Sequence, residues 1–264
     1  MHLTTDRMIA RADGAIGWIT FNNPARHNAV SLEMWQALGE IVEAYAQESA
    51  IRVIVLRGAG EKAFVSGADI SEFEAQRSSV ETTRAYDAVS QRASAALRDV
   101  AKPTIAMIGG YCVGGGVSIA LSCDLRIAAQ GSRFAVPAAR LGLGYAFEGV
   151  RKLVEVVGPA FAREIFYTAR QFSADEALAM GLVNRVVPAQ ALEAQVRELA
   201  EGIAANAPLT VASIKTLVAQ ALKDAPERDP VLCQQVVDRC FASADYVEGR
   251  RAFMDKRPPR FQGR

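Results

Sequence analysis

Three short apolar runs in this chain stop at glycine: IRVIVLRG at 51–58, KPTIAMIGG at 102–110 and LRIAAQG at 125–131. They read as near-continuous apolar stretches, which suits strands buried on both faces, the condition of a parallel sheet. Parallel neighbours need long crossovers, and helix-length segments lie between the runs, one of them from about Val80 to Val100. Upstream, AIGWITFNNP at 15–24 reads as a strand ended by Asn-Asn-Pro. Ser31 then caps a helix running to about Ser49, with Leu32, Trp35, Leu38, Ile41 and Tyr45 on one face. Strands and helices in this alternation predict an α/β fold. After about Val187 the pattern becomes helical throughout, punctuated by prolines. The expected organisation is an α/β core over 1–190 followed by a helical region over 191–264.

Composition excludes several functions. Half of the 264 residues are hydrophobic, enough for a sizeable core. Thirty basic residues face 29 acidic ones, which argues against a nucleic-acid or membrane-surface protein. The basic KRPPR stretch near the C-terminus reads as a solvated tail. The four cysteines show no CxxC spacing, and His2 and His27 are the only histidines, so no zinc set or other metal site is expected. Reduced thiols, an N-terminus without a targeting pattern and the lack of a membrane-length apolar run predict a cytoplasmic protein.

The chemistry concentrates at two glycine-bearing turns. In GGYCVGGGVSIALSCDLRIAA, 109–129, five of the first eight residues are glycine. FVSGADISEF, 64–73, follows the strand-like run at 51–58. Turns beyond the carboxyl ends of parallel strands face one crevice, and each leads into an expected helix whose first amides lack internal partners. Two such turns can aim two N–H groups at one oxygen, forming an oxyanion hole. The glycines fit neither a P-loop, since no Lys-Ser/Thr follows Gly114–Gly116, nor the GxGxxG spacing of a dinucleotide site. Close helix–strand packing is the alternative reading.

AFVSGADISEF, PTIAMIGGYCVGGGVSIALSCDLRIAA, FAVPAARLGLG and SADEALAMGLVNRVVP, in this order, resemble the enoyl-CoA hydratase/isomerase (crotonase) superfamily over nearly the whole chain. The resemblance implies a spiral of ββα turns with a C-terminal helical region. It also implies a homotrimer or a hexamer built from two trimers, an acyl-CoA thioester substrate that carries coenzyme A, and no tightly bound cofactor. By motif position the oxyanion donors are the amides of Ala68 and Gly115. Substrate and coenzyme are expected along Arg26, His27 and Ala29, along Ser66, Gly67, Asp69 and Ile70, and near Gly114, Ala138, Leu141 and Ala146. Phe253 and Lys256 stand where relatives reach the nucleotide end, sometimes across a subunit boundary. Asp69 is expected to organise its turn and Arg26 to meet a phosphate.

The chain departs from the hydratase pattern at both glutamate positions, which hold Ser118 and Ala138. Hydration needs a base for water and an acid for C2, and these side chains do not supply both. Ser118 can still hold a water for weak hydration. Tyr145 matches a tyrosine of methylmalonyl-CoA decarboxylase-like relatives, so decarboxylation of a malonyl-type thioester is the leading specific expectation. An apolar pocket around Ala138 favours expelling a carboxylate as neutral CO2. Glu148 offers single-carboxylate Δ3,Δ2-enoyl-CoA isomerisation, or else is simply an acid at a helix N-terminus. A non-catalytic acyl-CoA binder and an RNA-binding relative are the alternatives from other classes. Asp124 and Arg126 are read as a structural pair, and Cys112, with no histidine near it in sequence, as a packed thiol and not a nucleophile.

Overall fold

The computed structural model describes residues 3–69 and 80–264. The strands are β1 (Met8–Asp13), β2 (Ile16–Phe21), β3 (Val53–Gly58), β4 (Ala63–Val65), β5 (Thr104–Ile108), β6 (Tyr111–Val113), β7 (Leu125–Ala129), β8 (Arg133–Ala135), β9 (Phe172–Ser173) and β10 (Arg185–Val187). The helices are α1 (Leu32–Gln47), α2 (Val80–Asp99), α3 (Gly115–Ser122), α4 (Phe147–Thr168), α5 (Ala174–Ala179), α6 (Leu192–Ala204), α7 (Pro208–Ala221), α8 (Pro230–Phe241) and α9 (Ala244–Met254).

Among the described residues the strands form two sheets, β1-β2-β3-β5-β7-β10 and β4-β6-β8-β9. From β2 to β10 the larger sheet is parallel, and β4, β6 and β8 run parallel in the smaller one. The chain therefore repeats one circuit: a long strand in the first sheet, a short strand in the second, then a helix. This is the ββα spiral that the resemblance implied. Ser31 caps α1 by accepting from Met34 N at 3.3 Å, and Trp35, Leu38, Ile41 and Tyr45 are buried as the helical spacing requires.

The sheet corners depend on close main-chain approach. Gly110 has φ +67, and a side chain there would meet Lys62 O at 2.0 Å. Gly116 permits an equally tight contact: an added Cβ would lie 2.2 Å from Val65 O. The turn after β4 and the start of α3 can thus pack main chain against main chain.

The larger sheet is covered on both faces. One face shares a core with α1, α2, α3 and α4 through residues such as Phe21, Leu38, Leu56, Leu97 and Leu153. The other face buries Trp18, Val53, Ile105 and Ile127 against Leu192, Val196 and Ala200 of α6. The first helix after residue 190 is therefore a wall of the sheet. Beyond it, Lys215 on α7 reaches Asp124 Oδ2 at 2.8 Å and Lys102 O at 3.2 Å. Arg52 donates to Ala204 O at 3.0 Å and Phe261 O at 2.6 Å, clasping the last segment to the core.

KRPPR is largely exposed, as expected of a solvated stretch, but it is tied back to α9. Arg257 donates twice to Glu248, at 2.7 and 3.0 Å, and Arg260 N also donates to it. Asp245, buried at the start of α9, accepts from Gln262 N and Gly263 N. Carboxylates on α9 capture the returning chain because they offer acceptors to otherwise unpaired amides. Among the described residues no single helix is long and apolar enough to cross a membrane.

Replacing Gly116 by Ala is expected to destabilise the protein by about 1–3 kcal/mol, since Val65 O must move. Gly202→Ala, in α6 with nothing within 4 Å of the added methyl, is expected to stabilise it by about 0.5–1 kcal/mol. Denaturant titration of the two variants checks the contrast. Arg257 holds the Glu248 carboxyl at about 2, below the ordinary glutamate value of about 4.3. A depressed folded-state pKa adds stability that is present above the unfolded value and lost as pH falls toward the folded one. Stability curves of the wild type and Glu248→Gln are therefore expected to differ above about pH 4.3 and to converge near pH 2.

Candidate active site

The loop after β1–β2 and the turn after β4 are laced together. Val30 N donates to Gly67 O at 2.8 Å and Asp69 N donates to Val30 O at 3.0 Å, a bridge that brackets Ala68. Ser66 N donates to His27 O at 3.1 Å, and Ser66 Oγ to Arg26 O at 3.3 Å. Among the described residues the Ala68 amide itself donates to no acceptor.

Gly115 is the first residue of α3, where an amide has no intrahelical acceptor. Its neighbours are engaged: Gly114 N donates to Ala135 O at 2.8 Å and Ser118 N to Gly114 O at 3.1 Å. The Gly115 amide is free among the described residues. The two turns lie side by side, since a methyl built on Gly115 would stand 3.8 Å from Ala68 N and 3.7 Å from Gly67 C. Two free amides, one of them at a helix N-terminus, make a local field suited to a partly negative oxygen.

Ser118 and Ala138 carry no charge. Ser118 sits half-buried one turn along α3, and Ala138 is buried in the 3-10 turn Pro137–Leu141, closed by left-handed Gly142. Tyr145 packs edge-on against Phe166, 4.8 Å between ring centres, and burial raises its pKa. Its hydroxyl has no hydrogen-bond partner among the described residues. Glu148 lies in the first turn of α4, where its half-exposed side chain binds Arg151 at 3.0 Å. Leu141 and Ala146 are exposed.

Arg26 donates to Asp69 Oδ1 at 2.7 Å, its own side chain 51% exposed and that of Asp69 only 4%. The aspartate's charge is thereby neutralised inside the turn that carries Ala68. His27, exposed and left-handed at φ 51, stacks edge-on against Tyr111, and Ala29 is buried next to it. Phe253 is 83% exposed on α9, followed by left-handed Lys256. Ile70 lies outside the described residues.

One expectation needs correction, and a second is met. Asp124 and Arg126 do not pair: Asp124 accepts from Thr104 and Lys215, whereas Arg126 donates to the carbonyls of Leu182 and Cys123. A buried guanidinium is satisfied equally well by main-chain oxygens at the ends of α3 and α5. Cys112 is fully buried, and burial drives its thiol pKa far upward, so no thiolate forms for attack. Its buried neighbour Cys123 is pushed up to about 12.

Sequence reading passed over Asn28. It is buried in the left-handed region, φ 56, and its side chain accepts from Asn23 N at 3.0 Å and donates to Ala63 O at 2.7 Å. The available signal was asparagine's tolerance of that conformation within PARHN. Trp35 was read only as a core residue, yet its ring edge reaches the Gly115 position.

Residues 11–264 match the sequence model of the Enoyl-CoA hydratase/isomerase family. A Short-chain-enoyl-CoA hydratase of Clostridium acetobutylicum is 32% identical over 252 residues, covering 96% of both chains. A Carnitinyl-CoA dehydratase of Proteus mirabilis is 34% identical, covering 100% of this chain and 98% of its own. A solved structure of an enoyl-CoA hydratase/carnithine racemase from Magnetospirillum magneticum superimposes with a TM-score of 0.95 at 39% identity, covering 99% of this chain and 97% of that one. With its sequence and spiral fold matched over nearly the whole chain, this chain belongs to the enoyl-CoA hydratase/isomerase family, whose members act on acyl-CoA thioesters.

Proposed function

We propose that this chain holds the thioester carbonyl of an acyl-CoA between the amides of Ala68 and Gly115, and decarboxylates a malonyl-type CoA ester through the enolate. The observation that carries the reading is the pair of adjacent free amides in a site with no carboxylate at 118 or 138. Cleavage of the bond to the carboxylate releases CO2 and leaves its electron pair on C2, delocalised onto the carbonyl oxygen. The two amides and the α3 dipole stabilise that oxygen. No base is needed to begin. Tyr145, kept protonated by burial, gives its proton to C2 and regains one from water.

Along this reading the coenzyme lies outward, past Ser66, Gly67 and Gly114, with His27 and Ala29 on one side and Leu141 and Ala146 on the other. Arg26 serves Asp69 and a phosphate together. Phe253 and Lys256 meet the nucleotide end from a neighbouring subunit of a trimer or hexamer. Exposed Ile214, Val218, Phe241 and Val247 on the C-terminal helices support such an assembly. Coenzyme A enters as part of the substrate and no cofactor is held tightly. Four free cysteines, two of them buried and two partly exposed, fit a cytoplasmic setting. Glu148 is left as a surface acid because it already holds Arg151 on the exposed face. Weak hydration by a water on Ser118 is the second reading, favoured by relatives named hydratase and dehydratase.

Mass analysis after incubation with methylmalonyl-CoA, a 3-enoyl-CoA and crotonyl-CoA separates the reactions. Loss of CO2 from the first is expected. Water gain by the third would favour Ser118, and conversion of the second to the conjugated ester, lost in Glu148→Gln, would favour isomerisation. Gly115→Pro removes one amide at a helix position that tolerates proline and is expected to lower kcat by about 10²–10³-fold. Tyr145→Phe is expected to lower kcat by about 10²-fold with KM little changed. Glu148→Gln is expected to stay within about twofold, as an exposed ion pair contributes little.

A further inference from the structure

We infer that Trp35 determines acyl specificity: its indole closes the inner end of the acyl pocket beside Gly115 and limits the substrate to short acyl groups. The inference rests on the reading of Ala68 and Gly115 as the thioester-binding pair.

A methyl built on Gly115 would stand 3.7 Å from Trp35 Cζ2, and that same point lies 3.8 Å from Ala68 N. The edge of the indole therefore borders the space beside both amides. The ring is held at its other side, where Trp35 Nε1 donates to Tyr86 Oη at 2.9 Å. Trp35 stands on α1 and Tyr86 on α2, and both are buried. Its neighbours Met34, Ala37 and Leu38 are buried as well, so α1 gives the ring no room to swing outward.

The two sides of the amide pair differ in character. Outward stand the exposed Arg26 and His27 and the half-exposed Ser66, where a polar, phosphate-bearing coenzyme can remain hydrated. Inward lie Trp35, Tyr86 and the apolar core that Ala68 also joins. An acyl chain transferred from water gains by turning inward. A short one fills the space before the indole. A longer one must displace a buried ring and leave its N–H unpaired, which a core resists.

The test uses saturated acyl-CoAs, from acetyl- and butyryl- to octanoyl- and decanoyl-CoA, as binding probes in titration calorimetry. Wild type is expected to bind octanoyl-CoA at least about tenfold more weakly than butyryl-CoA. Trp35→Leu is expected to tighten octanoyl-CoA about tenfold while leaving butyryl-CoA within about threefold. Trp35→Phe, closer in size, is expected to move the same ratio by a smaller step and serves if the leucine variant does not fold. An unchanged ratio in the folded variant, or a wild type that binds every length alike, overturns the inference but leaves the thioester reading standing. A wild type that binds no thioester of any length removes both.

Discussion

Main chain pressed against main chain, where the end of β4 meets the start of α3, is the contact on which the other features depend. Val65 O lies so near the Gly116 Cα that no side chain fits between them. That approach sets the Ala68 turn beside the first residue of α3, where two neighbouring amides have no internal acceptor among the described residues. Amides that are partly shielded from water and lack partners gain when an acceptor completes them. An oxygen that gains negative charge during a reaction completes them best when that charge is greatest, which is how a static arrangement becomes a catalytic one.

The supports of this arrangement come from distant parts of the sequence. Val30 hydrogen-bonds on both sides of Ala68, Asn28 fastens the same loop to Ala63, and Arg26 neutralises buried Asp69. Trp35 backs Gly115 from α1 and is itself fastened to α2. The proposed chemistry relies on main-chain dipoles and one half-buried phenol, in place of the paired carboxylates that hydration requires. A site with few charged side chains favours a reaction that discharges a carboxylate as CO2 over one that needs two proton carriers.

Much of the fold was legible. The strand runs at 53–58, 104–108 and 125–129 and the helix capped by Ser31 follow from apolar continuity and capping chemistry, and they fall within a few residues of expectation. The smaller sheet was not legible from pattern, because β4, β6 and β8 have three residues each and β9 two. A period of two cannot declare itself over so short a span. β1 was also missed, since most of its residues are at least partly exposed and only Met8 is buried. Only the family resemblance supplied the ββα repeat.

The sequence by itself determined the residue types at the site: glycine at 115 and 116, alanine at 68 and 138, serine at 118 and tyrosine at 145. These are covalent facts; that Ser118 and Ala138 stand where hydratases carry their glutamates is what the family resemblance implies. Tertiary structure decided what each residue faces. Glu148 meets Arg151 on the surface, Arg126 meets carbonyls and not Asp124, and Trp35 comes to lie beside Gly115 although 80 positions separate them. Such neighbours are chosen by how the sheets and helices stack, a long-range packing outcome that local spacing along the chain does not encode.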